Sequence, residues 1–356
     1  MLAASRIIAA GALGALALPL GAEATTITVS PGGSIAAAVA GASAGDIIDV
    51  QPGTYTNDFP VVNVPLTIQT TGAPGSVIIN DTGIPNNQGI IENFSSLTVN
   101  GLTIIGAATV PGMGDNAAAI RDHGSTSLTV TNSILEDSQN GILTEDPTRS
   151  ETISIQGTTF LQDGSGAGDT HALYVGDAAS LDVGASLFCG TNNGHDVKSR
   201  ATTTTVSGST MYVGATGLGC AVAGTTGAGV DAPNGGVVDL VNDSIIQGTA
   251  NKNGALIIIG GESPILPVNS LTITNTTLSG DGASDSIGVN ELSGCIAPVS
   301  GSGNTVSGLN KDTNPTGCGS LGAVVSADEP RTLGILAIAL ALLVFLRWRR
   351  NASVQA

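Results

Sequence analysis

Aromatic side chains are almost missing from this 356-residue chain, which carries five Phe, three Tyr and one Trp, 3% of its residues. A thick core filled by rings is thereby excluded. Charge is also scarce, at 11% of residues, and positive charge is scarcest: 11 Lys+Arg stand against 28 Asp+Glu, for a formal net charge of −17. A nucleic-acid-binding surface needs a basic patch, so that class of partner is excluded. Disorder is excluded from the other side, because 41% of the residues are hydrophobic, mostly aliphatics able to bury surface. What remains is a chain that buries Val, Ile, Leu and Ala repeatedly in a thin interior.

The two ends differ from the body. Residues 1–24 carry one early cation, Arg6, an apolar run over 7–20 and the small-x-small ending Ala22-Glu23-Ala24, the layout of a cleavable signal peptide. The strand-forming alternation that begins at Thr25 argues against a buried first helix. At the other end a polar linker, 321–332, contains Asp328-Glu329-Pro330; an apolar run over 333–346 follows, then Arg347-Trp348-Arg349-Arg350. The apolar run would span roughly 21 Å as helix, short of a hydrocarbon core of about 30 Å, so a transmembrane helix over 333–350 needs snorkelling Arg and Trp. Its cations place the C-terminus, with the 351–356 tail, in the cytoplasm and the body outside. This three-part tail resembles the PEP-CTERM sorting signals, although the first proline of their Pro-Glu-Pro motif is replaced by Asp328. The resemblance implies a sorting protease as partner. Permanent membrane anchoring and cleavage both stay open, with a periplasmic or cell-surface body in either case.

Residues 25–330 hold 27 acidic side chains and six basic ones, Arg121, Arg149, Lys198, Arg200, Lys252 and Lys311. The exported body is thus near −21, and four cysteines suit an oxidising compartment.

One short phrase recurs along the body: Leu97-Thr-Val-Asn-Gly-Leu-Thr-Ile, Leu128-Thr-Val-Thr-Asn-Ser-Ile-Leu, Ile153-Ser-Ile-Gln-Gly-Thr-Thr-Phe, Leu181-Asp-Val-Gly-Ala-Ser-Leu-Phe, Thr204-Thr-Val-Ser-Gly-Ser-Thr-Met, Val238-Asp-Leu-Val-Asn-Asp-Ser-Ile and Leu271-Thr-Ile-Thr-Asn-Thr-Thr-Leu. A repeat of this length signals a solenoid. Apolar residues alternate, a bend at Asn, Gly or Ala precedes Ser or Thr, and alternation resumes, which predicts two short strands per coil with aliphatics inward. Successive coils then pair as parallel strands. Cys189 with Cys220 and Cys295 with Cys318 are the expected disulfides, each pair lying about one coil apart; free buried thiols are the alternative.

The body opens with Ser34-Ile-Ala-Ala-Ala-Val-Ala, at helical spacing, then Ala44-Gly-Asp-Ile-Ile-Asp-Val-Gln-Pro-Gly-Thr-Tyr. This resembles the start of right-handed parallel β-helix proteins of the pectate-lyase-like class, in which a short helix caps the first coil. The resemblance implies an all-β fold for residues 25–320: a single-stranded right-handed parallel β-helix with a short N-terminal capping helix.

Chemistry concentrates in Thr170-His-Ala-Leu-Tyr-Val-Gly, Asn193-Gly-His-Asp-Val-Lys-Ser-Arg-Ala, Gly229-Val-Asp-Ala-Pro-Asn-Gly-Gly and Ile257-Ile-Ile-Gly-Gly-Glu. Aligning Leu173 with Val197 and Val230 sets His171 beside His195, Tyr174 beside Lys198 and Asp231, and Gly176 beside Arg200. Alternation then predicts Asp196, Lys198 and Arg200 on one outward face, with His123 extending it. These segments resemble a group of exported bacterial β-helix proteins. On a polysaccharide-processing reading, Lys198 and Arg200 clamp a uronate carboxylate and remove the neighbouring proton, while His195 or Tyr174 protonates the leaving oxygen. His171, Asp196, Asp231, Asn234 and Glu262 are the candidate substrate-binding residues. The Lys-Ser step resembles part of the alginate and chondroitin lyases of this fold. Their catalytic Arg, in an Arg-His-Gly context on the next coil, has no counterpart in Val230-Asp-Ala-Pro-Asn, and their calcium-binding carboxylates are represented at best by Asp231 and Glu262. A glycoside hydrolase would instead pair two carboxylates from Asp169, Asp196, Asp231 and Glu262. In a third reading the body is a scaffold or adhesin rod whose Lys198, Arg200 and Asp231 form a structural ion-pair ladder.

Overall fold

The computed structural model of the chain describes residues 23–80, 83–84, 88–110, 116–145, 148–166 and 170–323. The signal peptide, membrane helix, Arg-rich end and tail expected above lie outside these residues except at 23–24, as does most of the linker. Among the described residues no helix is long and apolar enough to cross a membrane.

The repeated phrase stacks in register. Leu97, Leu128, Ile153, Leu181, Thr204, Val238 and Leu271 are successive parallel partners along one sheet. In that sheet Ile68, Val99, Val130, Ile155, Val183 and Val206 form an inward column two residues on, fully buried at every level. Each such side chain contributes about 1.5–3 kcal/mol of burial, set against the entropy of ordering its coil. The bend residues explain themselves: Asn132, Ala185, Asn242 and Asn275 take φ near 50–60°, a region that Asn tolerates better than most residues. The Ser or Thr after the bend turns inward, where its hydroxyl accepts a backbone N–H from the coil below, as Ser133 does from Leu102 at 3.3 Å and Ser186 from Thr158 at 3.2 Å.

The described residues form three parallel sheets of 12, 10 and 10 strands. The expectation of two strands per coil is therefore corrected to three. The repeated phrase supplies only the first two; the third comes from the segments that carry the histidines and Lys198. The three-sided coil confirms the parallel β-helix.

The helix Ile35–Ala40 closes the first coil, burying Ile35 and Val39. Asp58 reaches over from the following coil and accepts from Ile35 N at 2.6 Å, Ala36 N at 2.7 Å and Ser34 Oγ at 3.1 Å. Asp58→Ala leaves those donors unpaired and is expected to cost about 1–2 kcal/mol, read as a lower urea midpoint; an unchanged midpoint would show that the cap stands without it. Disulfides join Cys189 to Cys220 and Cys295 to Cys318, with Cα–Cα distances of 5.3 and 5.4 Å.

Candidate functional site

The third sheet carries the chemistry on its outward side. Tyr174, Lys198 and Asp231 are parallel partners on consecutive coils, as the alignment of Leu173 with Val197 and Val230 predicts. Glu262 follows the strand Ala255–Ile259 on the next coil, after Gly260 and Gly261, whose φ values of 75° and 103° suit glycine. The turn brings the Glu262 carboxylate back over the face.

Lys198 Nζ lies 2.9 Å from Glu262 Oε1 and 3.8 Å from Asp231 Oδ2. The Arg200 guanidinium takes the other Glu262 oxygen, donates through Nε to the Tyr174 hydroxyl at 2.8 Å, and reaches Asn234 Oδ1 at 2.9 Å. Asn234 in turn donates to the Pro264 carbonyl, so it both makes the turn and fixes the fork. Both cations stand near the Tyr174 ring, at 5.9 and 5.7 Å from its centroid, where the π face attracts them. Glu262 is the open member of the group: its side chain is 39% exposed, against 10% for Lys198. Burial pushes the Glu262 carboxyl up, but Lys198 and Arg200 more than offset it and hold it below the ordinary value.

Behind this fork His171 and His195 stack at 5.3 Å and 12°, and the His195 N–H donates to His171 Nδ1 at 3.0 Å. Gly194 makes the approach feasible, since a Cβ there would sit 1.7 Å from the Thr170 carbonyl oxygen and 2.6 Å from His171 Nδ1. Burial, reinforced by Lys198, lowers His195 to about 3, and burial with His195 beside it lowers His171 well below its usual value. His195 Nε2 faces Asp231 Oδ2 at 3.3 Å, and burial, only partly opposed by Lys198, raises Asp231 to about 7. The pair is thus a neutral imidazole beside a carboxyl that titrates near neutrality, a combination able to hold or take a proton.

Several expectations need correction. His195 is neutral at physiological pH, so it does not serve as an imidazolium acid. His171 is buried between Tyr174 and His195 and positions its neighbours without reaching the surface. Asp196 precedes the strand Val197–Ser199, at the corner of the coil; there it is fully buried, accepts from Thr191 Oγ1 at 2.6 Å, and is pushed well up by burial. It therefore leaves the outward face. Asp169 lies outside the described residues. Asp231 and Glu262 converge on one ammonium rather than flanking a cleft, which does not fit a hydrolase pair. Nor do they fit calcium, because Lys198 Nζ already occupies the point between them; no group of three metal-ligating side chains occurs among the described residues.

An open groove of about 590 Å³ continues from the fork, lined by Asn116, Leu143, Thr144, Glu145, Tyr174, Asp177, Arg200, Asn234 and Pro264 among others. Beside it Arg149 pairs with Asp177 at 2.7 Å and donates to the Arg200 carbonyl at 2.7 Å, and Arg121 pairs with Glu145. Of the lining residues, sequence reasoning named Tyr174, Arg200 and Asn234 and missed the rest, although carrying the register back from Tyr174 reaches Leu143 on the preceding coil and Arg121 on the one before it.

No protein-family model matches the chain, and no curated protein sequence matches it. Among solved structures, a mutant of the PL6 family alginate lyase AlyGC is similar at TM-score 0.56 and 18% identity, over 80% of this chain and 40% of that one. A second AlyGC structure is similar at TM-score 0.50 and 16% identity, with the same coverage. The chain spans about two-fifths of the length of these two structures. What they share with it is the fold, a right-handed parallel β-helix.

Proposed function

We propose that the outward face of the third sheet binds an acidic polysaccharide, a uronate polymer of the cell envelope or its surroundings, with Lys198 and Arg200 taking one sugar carboxylate. The observation that carries this reading is Glu262: a half-open carboxylate, bridged by two cations, sits where a ligand carboxylate would make the same contacts. Arg suits this role because its planar fork matches a carboxylate. Four of the six body cations, Arg121, Arg149, Lys198 and Arg200, stand on or beside this face. The acidity of the rest of the body opposes a polyanion at long range, but salt screens it beyond about 8 Å, so the fork acts locally. The similar AlyGC, an alginate lyase, supports this substrate class for the fold. The two disulfides support an exported body in an oxidising compartment.

A structural ladder is the competing reading, favoured by the 10% exposure of the Lys198 side chain and its two partners. Titration calorimetry with oligouronates and neutral oligosaccharides separates them. Glu262→Gln frees the fork and is expected to tighten oligouronate binding roughly threefold to tenfold, while Arg200→Ala weakens it at least tenfold, as for a charge-assisted pair. If no oligouronate binds the wild type or either variant, and Glu262→Gln only lowers stability, the ladder is all there is. Growth of ultraviolet absorbance from unsaturated sugar in the same mixtures would extend binding to elimination, with Asp231 as the proton acceptor nearest the fork.

A further inference from the structure

Phe94 is half exposed, the one exposed aromatic side chain among the described residues. Its ring lies flat against His123, with centroids 4.3 Å apart and planes 6° from parallel. His123 is itself held: its Nε2 meets the Glu92 carboxylate, which is buried and also accepts the Gly89 N–H. The result is a rigid aromatic platform.

The platform lies on the same row as the fork. Phe94, His123, Glu145, Gly176 and Arg200 each follow a strand of the third sheet on successive coils. Backbone bonds tie the row together: His123 N to Asn93 O, Glu145 N to Asp122 O and Arg200 N to Val175 O, each at 2.9 Å, with Gly176 N on Thr144 Oγ1 at 3.1 Å. Four steps between neighbouring strands put Phe94 roughly 19 Å from Arg200. The groove at Glu145 and Asn116 lies between them, so one polymer several sugars long, laid along the coil axis, reaches both.

We propose that the Phe94–His123 stack is a distal sugar subsite whose exposed ring edges take the apolar C–H face of a pyranose ring of the same polymer. This rests on the reading of the fork as a uronate site. Such apolar contact reads shape rather than charge, so the subsite contributes length dependence instead of carboxylate specificity.

The test is calorimetry of wild type, Phe94→Ala, Phe94→Trp and Arg200→Ala with a length series of oligouronates. Wild-type affinity is expected to rise once the oligomer is long enough to span both points. Phe94→Ala should remove that rise, weakening long oligomers roughly threefold to tenfold and leaving di- and trisaccharides unchanged, and Phe94→Trp should restore it. If Arg200→Ala abolishes binding while Phe94→Ala keeps the full length dependence, the subsite is wrong and the fork stands. If no oligomer binds the wild type, both are overturned.

Discussion

Lys198→Ala is expected to lower stability by about 3–5 kcal/mol at pH 8, the cost of breaking a buried ion pair by removing one partner. The ammonium is the cation nearest Asp231, whose side chain is only 7% exposed. Without it, Asp231 keeps its burial and loses the first of the attractions that oppose its rise. The carboxyl then escapes by taking a proton, so the loss should shrink when the pH is lowered to 5. Lys198→Met separates charge from packing: it keeps the aliphatic stem that lies against the sheet and removes only the ammonium. Urea unfolding at both pH values checks this. A cost below about 1 kcal/mol, unchanged with pH, would show that Lys198 behaves as an exposed cation and that Asp231 does not depend on it.

The inward columns and the pairing of Tyr174 with Lys198 and Asp231 are legible in the sequence because the repeated phrase alternates and its offsets transfer to neighbouring segments. The third strand is not, and the reason is burial. The strands Gly89–Asn93, Ala118–Asp122, Asn140–Thr144 and Ala255–Ile259 are buried at every position. A strand covered on both sides loses the period of two that marks a half-exposed one. Asp196 and His171 were misplaced for another reason: both lie just before their strands, Val197–Ser199 and Leu173–Val175, where alternation no longer decides which side chain meets water. Glu262 was found as a candidate, yet its place in the fork depends on the Gly260-Gly261 turn and a contact 64 residues from Lys198, which no local pattern encodes.

Stability should also rise as the pH falls from 8 to 5, against the usual behaviour of a protein held by ionised carboxylates. Burial raises Asp231 and Asp243 to about 7 and Asp163 and Asp196 well above their ordinary values. Between the unfolded value near 3.8 and these folded values, the native state binds protons that the unfolded chain does not. Each group then adds up to about 1.4 kcal/mol per pH unit as the pH falls through that window, and loses it as the pH rises. The buried histidines act in the opposite sense. His195, lowered to about 3, and His171, also lowered, stay neutral while the unfolded imidazoles charge below about 6.5, so their contribution is lost as the pH falls. With Glu291, also raised by burial, five carboxyls against two imidazoles leave a net gain down to about pH 5. Below about pH 4 the carboxyls of the unfolded chain take up protons and the lowered Asp46 and Glu262 lose their contribution as well, so stability declines. Urea midpoints across this range test the sum. Asp231→Asn isolates one group: it should flatten the slope between pH 7 and 5 relative to wild type, whereas parallel curves for the two proteins would mean that Asp231 stays ionised in its site.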